Sequence, residues 1–410
     1  MTSEPGTGSP DTGAGYPAPL TGRAGARRVR AGTGQRRQRA VALLAPGVLY
    51  LLVREVGLLV LQQMGSHSGR SMAQLLSAWD GNWYLGIAAN GYSRVPAGLL
   101  DGHGSRSAET PLAFFPGYPF LVHVVAVLPG LSLLGAAIAI SMVSGVLGSY
   151  ALVSIGEQVR GGSRRVGLIL VALFASSPMA ISESMAYTES LFCALAAASL
   201  ACLLRRRWVL AGFCAALAGL LRITGGALVL AVCLAALVAI LRRQDSWRPW
   251  VGGLLAPLGL AGYLGWVGYR TGSLTGYFQL QNRGWNDRFD GGATTWRFIT
   301  QQLAQPGQLM LVVTLAALLA ALVLLGVCLA LRISPPLVIY GAAVVVMDIG
   351  SNGLMNAKTR LLLPAFVLLL PIAIGLAKRR AATIICFLAG AAVASAWFGG
   401  YALTIWPYAI

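Results

Sequence analysis

A long apolar run near the start of the chain is the most informative stretch for the fold. It covers Val41–Leu61 and reads VALLAPGVLYLLVREVGLLVL. A helix that crosses a bilayer needs about 20 apolar residues, so this run is long enough to span a membrane. The residues before it, 1–40, are rich in Gly, Pro, Ser, Thr and Arg, and no small-residue cleavage site follows it in good context. We therefore expect an uncleaved first span, preceded by a disordered basic arm on the cytoplasmic side.

The composition of the whole chain agrees with a membrane location. Of its 410 residues, 56 % are hydrophobic and only 11 % are charged, whereas about 25 % of the residues of an ordinary soluble domain are charged. The mean hydropathy is +0.70. So few charged side chains cannot cover a water-exposed surface, which excludes a soluble enzyme and a mostly disordered chain.

Further apolar runs follow the first along the rest of the sequence. They predict an all-α polytopic membrane protein with about eleven transmembrane helices. The candidate spans are 41–61, 132–157, 166–182, 187–204, 208–222, 225–241, 250–270, 308–331, 335–350, 361–377 and 381–405. Two long intervening segments, 62–131 and 271–307, are expected to be outer loops of a membrane domain that covers 41–410.

The basic residues account for the formal net charge of +18. When the spans alternate from a cytoplasmic N-terminus, the arginine-rich turns between them all fall on the cytoplasmic side, which is the positive-inside pattern. The charge therefore requires no nucleic acid partner. This layout depends on Leu112–Leu128, which is apolar but contains Pro116, Pro119 and His123. We interpret that stretch as an interfacial or re-entrant helix.

The cysteine and histidine residues predict neither a disulfide framework nor a metal site. The six cysteines lie in apolar runs without a C-x-x-C pair, and the three histidines form no H-x-x-x-H pattern. Such cysteines usually serve as small apolar core residues. We expect no protein-built zinc site and no cofactor.

The chemistry is expected on the outer side, where most of the acidic residues fall. Carboxylates at a membrane boundary are costly unless they are paired or used. The densest polar segment is Trp79–Tyr92, WDGNWYLGIAANGY, just outside the first span. An interfacial aromatic belt explains Trp83 and Tyr84 as well as a sugar site does. An aromatic belt does not explain Asp80, because a carboxylate beside aromatic residues at membrane depth needs a separate explanation.

This segment resembles the motif of the GPI mannosyltransferase 2 (PIG-V-type) family and its bacterial relatives, which belong to the GT-C superfamily of polytopic glycosyltransferases. Four further stretches fit that family in the same order along the chain. They are Ala113–Pro119 (AFFPGYP), Tyr187–Phe192 (YTESLF), Leu221–Gly225 (LRITG) and Arg360–Pro364 (RLLLP). Two positions depart from the pattern: Ala78 stands where eukaryotic members tend to have arginine, and Leu361 where an aromatic residue is usual.

The resemblance implies a GT-C fold with a long first outer loop and a polyprenyl-phosphate sugar donor, typically polyprenyl-phosphate mannose. An outward-facing transferase needs a lipid-borne donor because nucleotide sugars are cytoplasmic metabolites. Since the lipid phosphate is a good leaving group, one carboxylate suffices as base for an inverting displacement. A glycosidase instead needs two carboxylates about 5–9.5 Å apart. We predict that Asp80 is the base.

Fixed cations are expected to meet the charge on the departing phosphate. We predict Arg222 and Arg360 in this role, with Lys358 third, although Lys358 and Arg360 also suit snorkelling anchors at a helix end. Glu189 either orients the acceptor or pairs with an arginine. The expected substrate-binding residues are Trp79, Asn82, Trp83, Tyr84, Tyr92, Tyr118, Tyr187 and Glu189.

Other acidic residues are weaker candidates. Glu183 is interpreted as an exposed turn residue. The residues Trp285, Asp287, Asp290 and Trp296 form either a lid over the site or, more simply, part of a solvated loop.

The sequence thus predicts a multi-pass glycosyltransferase of the plasma membrane. It would move mannose, or another hexose, from a polyprenyl-phosphate donor to an extracytoplasmic glycan, lipoglycan or protein. One alternative is a secondary transporter, but the paired broken segments of two related halves are not seen in the sequence. A catalytically inactive GT-C-like scaffold is the other alternative.

Overall fold

The computed structural model describes the backbone of residues 23–410 and the side chains of residues 41–410. Of the predicted disordered arm, 1–40, residues 1–22 lie outside the described residues, and the backbone of 23–40 belongs to the first helix. The first helix begins at Arg23. The candidate site lies within the compact unit Pro46–Ile410.

The described part of the chain is helical and contains no strand. Its α-helices are α1 (Arg23–His67), α2 (Met72–Leu76), α3 (Asp80–Asn90), α4 (Gly117–Val125), α5 (Leu133–Gln158), α6 (Arg164–Ala175), α7 (Glu189–Leu204), α8 (Trp208–Gly219), α9 (Gly225–Leu241), α10 (Arg248–Leu255), α11 (Leu258–Thr271), α12 (Gly276–Trp285), α13 (Ala293–Ala304), α14 (Leu309–Ala330), α15 (Pro335–Gly350), α16 (Lys358–Leu361), α17 (Leu370–Ala377) and α18 (Ala381–Thr404). Four 3-10 helices cover Thr110–Ala113, Ala180–Ser184, Met355–Ala357 and Leu363–Leu369.

Several of these helices can cross a membrane, so the chain is a multi-pass membrane protein, as the composition predicts. Among the described residues, five segments are long and apolar enough: Val41–His67, Leu133–Gln158, Arg248–Thr271, Leu309–Ala330 and Ala381–Thr404. The pair Met355–Leu361 and Leu363–Ala377, bent by 58°, adds a sixth if it is one span. Four shorter apolar helices, α7, α8, α9 and α15, coincide with other predicted spans. The count of eleven stays a prediction.

The short helices bring polar turns into the interior. Helix α8 has 12 residues, and at 1.5 Å per residue it is about 18 Å long, well short of the roughly 30 Å hydrocarbon core. The turn between α8 and α9 carries Arg222, whose side chain is only 11 % exposed. A charged group is thereby placed among helices instead of at the aqueous ends of two long spans.

Small residues allow the helices to approach closely. Helix α5 packs against α6 and α7, and α8 packs against α7, α9, α10 and α11. A Cβ atom on Gly167 of α6 would lie 2.6 Å from the Cα of Val153 on α5, and one on Gly219 of α8 would lie 2.7 Å from the backbone nitrogen of Leu260 on α11. Such close backbone contact is the usual basis of helix association in membranes.

The apolar stretch Leu112–Leu128 does not form a spanning helix. It contributes the end of a 3-10 helix and the nine-residue helix α4. Since a span needs about 20 residues, this length agrees with the interpretation of an interfacial or re-entrant segment.

The prediction that Glu183 is an exposed turn residue is wrong, because its side chain is fully buried. It accepts a hydrogen bond of 3.0 Å from the hydroxyl of Tyr50 on α1. Arg54, also buried, donates to the backbone carbonyl of Ala180. The 3-10 helix Ala180–Ser184 packs against α5, α7 and α18, so this turn lies inside the protein instead of on its surface.

Candidate active site

A cavity of about 330 Å³ lies where the loops that carry the five motif stretches converge. This volume is at the lower end of the range of ligand pockets. Its charged lining residues are Asp80, Glu189, Asp287, Asp348, Arg222, Arg288, Lys358 and Arg360. The four acidic and four basic side chains balance one another formally, and they come from helix ends and loops far apart in the sequence.

Asp80 reaches the cavity because it is the first residue of α3. Trp79, the residue before it, has φ 58° and ψ −118°, a backbone conformation that only glycine adopts without strain. The preceding turn is attached to the segment before α7. The amide of Ala186 donates to the carbonyl of Leu76 at 2.9 Å, and the hydroxyl of Tyr187 donates to the carbonyl of Ala78 at 3.1 Å. These bonds bring the start of α3 next to the start of α7.

Glu189 is the first residue of α7 and lies deep in the protein, with its side chain 1 % exposed. Its Oε1 atom is 2.5 Å from Nη1 of Arg222 and 3.4 Å from Nη1 of Arg360. Asp80 and Glu189 both stand at helix N-termini, where the helix dipole favours negative charge. Structural pairing with arginine, one of the two roles predicted for Glu189, is therefore what the structure contains.

Arg360 connects the two carboxylates. Its Nη1 atom is 2.8 Å from Oδ2 of Asp80, and its guanidinium lies 5.0 Å from the ring centroid of Tyr187. The arginine side chain is 10 % exposed, whereas that of Asp80 is 30 % exposed. The Nε atom of Arg360 has no hydrogen-bond partner in the described structure. Asp80 is thus more accessible than Glu189, and it is paired with one nearly buried guanidinium group, that of Arg360.

A second cluster of charged residues, Lys358, Asp287 and Asp348, lines another part of the cavity. Lys358, buried in α16, donates to the backbone carbonyl of Asp348 and, at 2.8 Å, to that of Ser351. Asp287 lies in the loop after α12, where burial raises the pKa of its carboxyl group. Asp290, in the same loop, instead accepts hydrogen bonds from the amide and hydroxyl of Thr294 near the start of α13, and these bonds lower its pKa.

Aromatic rings form much of the remaining lining. Phe114 stacks on Trp83 with centroids 5.1 Å apart and meets Trp285 edge-on at 5.5 Å. Phe115 packs against Tyr277 at 5.3 Å. All of these except Trp83 line the cavity. The cavity therefore combines charged groups with flat apolar surfaces.

The structure gathers the main predicted chemistry in one place. Asp80, Arg222, Arg360, Lys358, Tyr84 and Glu189 all line the cavity. The other predicted substrate-binding residues are not among those that line it: Trp79, Asn82, Trp83, Tyr92, Tyr118 and Tyr187.

Most of these remaining residues make structural contacts. The hydroxyl of Tyr118 donates to the carbonyl of Ala137 at 3.0 Å, and that of Tyr92 to the carbonyl of Phe114 at 2.7 Å. Tyr187 lies against Arg360, while Asn82 is exposed. Of the loop considered as a lid, Trp285 and Asp287 line the cavity, and Trp296 is 67 % exposed.

Sequence reasoning did not assign Asp348, Tyr277 or Phe115 to the site. Asp348 carries a usable signal, because it is an acidic residue within a predicted span. Tyr277 and Phe115 carry none, since aromatic residues are frequent at any membrane interface. Among the described residues, no group of three or more His, Cys, Asp or Glu side chains has the arrangement needed to hold a metal ion.

Comparison with known proteins identifies solved structures with a similar fold. The sequence matches no protein-family model and no curated protein. Two crystal structures of ArnT from Cupriavidus metallidurans are similar to it, one bound to undecaprenyl phosphate and one in the apo state. The TM-scores are 0.52 and 0.50, at 14 % and 15 % sequence identity, over 87 % of this chain and 76 % of ArnT. The chain has the GT-C fold.

This likeness confirms the fold class predicted from the motifs. At such low identity it extends to the fold alone, so it does not distinguish the PIG-V-type family from other families that share the GT-C architecture.

Proposed function

We propose that this protein is a membrane glycosyltransferase that takes a sugar from a polyprenyl-phosphate donor. One observation carries the proposal: the half-buried carboxylate of Asp80 is paired with the nearly buried Arg360, and a second nearly buried arginine, Arg222, lines the same cavity. Buried guanidinium groups suit the phosphate of a lipid donor because they bind it bidentately and remain charged. A half-exposed carboxylate beside them suits a base that meets an incoming hydroxyl group.

The comparison with ArnT supports the donor class. That protein has the same fold, and one of its structures contains undecaprenyl phosphate. Arg222, Arg360 and Lys358 are the proposed contacts for the phosphate in this chain. Arg222 lies in a turn between apolar helices, and so does Arg360 in its bent segment. The phosphate of a membrane lipid would approach both arginines from the side of these helices.

The proposed reaction is a single displacement at the anomeric carbon. A hydroxyl oxygen of the acceptor forms a bond to that carbon, and its proton passes to Asp80. The bond between the anomeric carbon and the phosphate oxygen breaks, so that the lipid phosphate departs with the electron pair. The arginines stabilise its developing charge. Attack from the face opposite to the leaving group inverts the configuration.

The finer proposals rest on the sequence motifs. They are a PIG-V-type relationship, mannose or another hexose as the transferred sugar, and an acceptor outside the cytoplasm that is a glycan, lipoglycan or protein. Trp79, Asn82, Trp83, Tyr92, Tyr118 and Tyr187 keep their proposed place near the substrates, Tyr187 through its contact with Arg360.

The test is turnover by the purified protein in detergent or proteoliposomes. Radiolabelled undecaprenyl-phosphate mannose and undecaprenyl-phosphate glucose are offered with a panel of lipoglycan, glycan and peptide acceptors. We expect acceptor-dependent release of undecaprenyl phosphate from at least one donor. The proposal would be contradicted if neither of the two glycosylated lipids, nor undecaprenyl phosphate itself, bound to the folded protein.

A further inference from the structure

Asp348 is a buried carboxylate whose oxygen atoms have no protein partner. The residue is 5 % exposed, and neither Oδ1 nor Oδ2 forms a hydrogen bond within the described structure. It lies on α15 and lines the cavity. A buried polar group without a hydrogen bond is costly, and a buried charge is more so, which makes such a group a candidate ligand contact.

A second carboxylate in the same cavity shares part of this feature. Asp287 lines the same cavity, and its buried Oδ1 atom also has no hydrogen-bond partner. The loop that carries it is held beside the end of α15, because the amide of Asp290 donates to the carbonyl of Gly350 at 2.8 Å and that of Asn352 to the carbonyl of Arg288 at 2.9 Å. Helix α15 and this neighbouring loop thus present unused acceptor atoms to one cavity.

Lys358, which lines the same cavity, does not use up those acceptors. The Nζ atom of Lys358 donates to the backbone carbonyls of Asp348 and Ser351. Among the described side chains, no carboxylate oxygen lies within 4.0 Å of this Nζ atom, which is the limit for an ion pair. The carboxylate oxygens of Asp348, and Oδ1 of Asp287, therefore remain available to donors from a ligand.

We infer that Asp348 and Asp287 bind hydroxyl groups of the sugar that the lipid donor carries. Ionised carboxylates are acceptor-only groups and pair well with hydroxyl donors. Lys358 and Arg360 lie two residues apart on α16. Both line the same cavity as Asp348, so a sugar attached to a phosphate at Arg360 lies in the space that Asp348 also lines.

The rest of the lining suits the same ligand. Phe114 and Trp285 line the cavity and meet edge-on at 5.5 Å, so they offer flat apolar surfaces. A sugar ring presents apolar C–H faces and polar edges, which match aromatic rings and carboxylates respectively. The assignment rests on the proposed function, and it identifies the residues that distinguish the glycosylated lipid from the bare lipid phosphate.

The test compares two ligands on purified, folded protein. Equilibrium binding in detergent micelles gives the affinities for undecaprenyl phosphate and for undecaprenyl-phosphate mannose or glucose, whichever binds more tightly. Their ratio measures the contribution of the sugar. We expect Asp348→Asn and Asp287→Asn each to reduce this ratio about tenfold, because each replaces a charged acceptor by a neutral one. Affinity for undecaprenyl phosphate should be unchanged.

Asp290→Asn is the matched control, since it removes a carboxylate from the same loop whose oxygens already cap a helix. It should leave the ratio unchanged. An unchanged ratio in both cavity variants, or a wild-type ratio of one, overturns the inference while the proposed function stands. Absence of undecaprenyl phosphate binding to the wild-type protein overturns the proposed function, and the inference with it. The two carboxylates lie on separate elements, so loss of folding in one variant leaves the other as the test.

Discussion

Arg360 donates a hydrogen bond of 2.8 Å to Asp80, a residue 280 positions away in the chain. The same guanidinium lies 3.4 Å from Glu189. The cation proposed to receive the donor phosphate therefore also holds the carboxylate proposed to act as base. Arg222 differs from it, because its contacts are Glu189 at 2.5 Å and the hydroxyl of Thr188 at 3.5 Å. The two arginines are expected to have separable roles.

The first prediction concerns these arginines. Arg→Lys keeps the charge but loses the bidentate geometry, so each variant should lose about 1–3 kcal/mol of donor binding. Arg360→Lys should also slow turnover at saturating donor, because it disturbs Asp80, whereas Arg222→Lys should act mainly on donor affinity. The measurements are undecaprenyl phosphate binding and kcat at saturating donor. Arg283→Lys, on the exposed face of α12, is the control, and equal behaviour of all three variants would contradict the assignment.

The second prediction concerns Asp80 as the base. Asp80→Asn keeps the shape of the side chain but cannot take up the proton of the acceptor. Turnover should fall by about 10²–10⁴-fold, the usual contribution of general base catalysis, while undecaprenyl phosphate still binds. Glu109→Gln, in the long first outer segment, should retain normal turnover. Normal turnover by Asp80→Asn would exclude the mechanism and make Glu189 the next carboxylate to test.

The third prediction concerns stability at Glu189. Glu189→Gln leaves Arg222 buried without an acidic partner, since Arg360 retains Asp80. Breaking a buried ion pair from one side costs about 3–5 kcal/mol, so the melting temperature in detergent should fall clearly. The exposed pair of Glu157 and Arg164, 3.6 Å apart, provides the control, because Glu157→Gln should cost at most about 1 kcal/mol. Similar melting temperatures for the two variants would show that Glu189 is not the counter-ion of Arg222.

The fourth prediction concerns the buried contact between α1 and the turn before α7. Tyr50→Phe removes the hydroxyl that donates to Glu183 and leaves a buried carboxylate oxygen unpaired, at a cost of about 1–3 kcal/mol. Thermal unfolding checks this. Tyr269→Phe alters a tyrosine that is 85 % exposed and should change stability by less than about 0.5 kcal/mol. If the Tyr50→Phe variant were as stable as that control, the hydrogen bond from Tyr50 to Glu183 would not contribute to the stability of the protein.

The fifth prediction concerns orientation in the membrane. If the N-terminus is cytoplasmic, a cysteine at Ser105 lies outside and one at Ser246 inside. Both serines are exposed. An impermeant thiol reagent applied to intact cells should label the Ser105→Cys variant and not the Ser246→Cys variant, in a background where the exposed Cys386 is replaced by serine. The reverse pattern would invert the topology.

The sequence by itself determined the class of this protein. Because the chain has few charged residues and long apolar runs, it must be a membrane protein. The positions of several helices also follow from those runs: α5, α9, α14 and α18 begin and end within about two residues of the predicted spans. Apolar length is a local property, which is why it can be seen without a structure. The sequence also marks Asp80, Arg222 and Arg360 as candidate site residues, because charged residues between apolar runs are conspicuous.

Only the tertiary structure decided which of these groups meet. Nothing in the local sequence places Arg360 beside Asp80, since their contact depends on how α3, α7 and the bent segment pack. Glu183 shows the same limit: its turn looks exposed in the sequence, but it is buried because neighbouring helices close over it. The unpaired carboxylate oxygens of Asp348, and the Oδ1 atom of Asp287, show the same limit. Whether a polar atom has a partner is a property of its three-dimensional surroundings, and these are fixed by packing between residues distant in the chain.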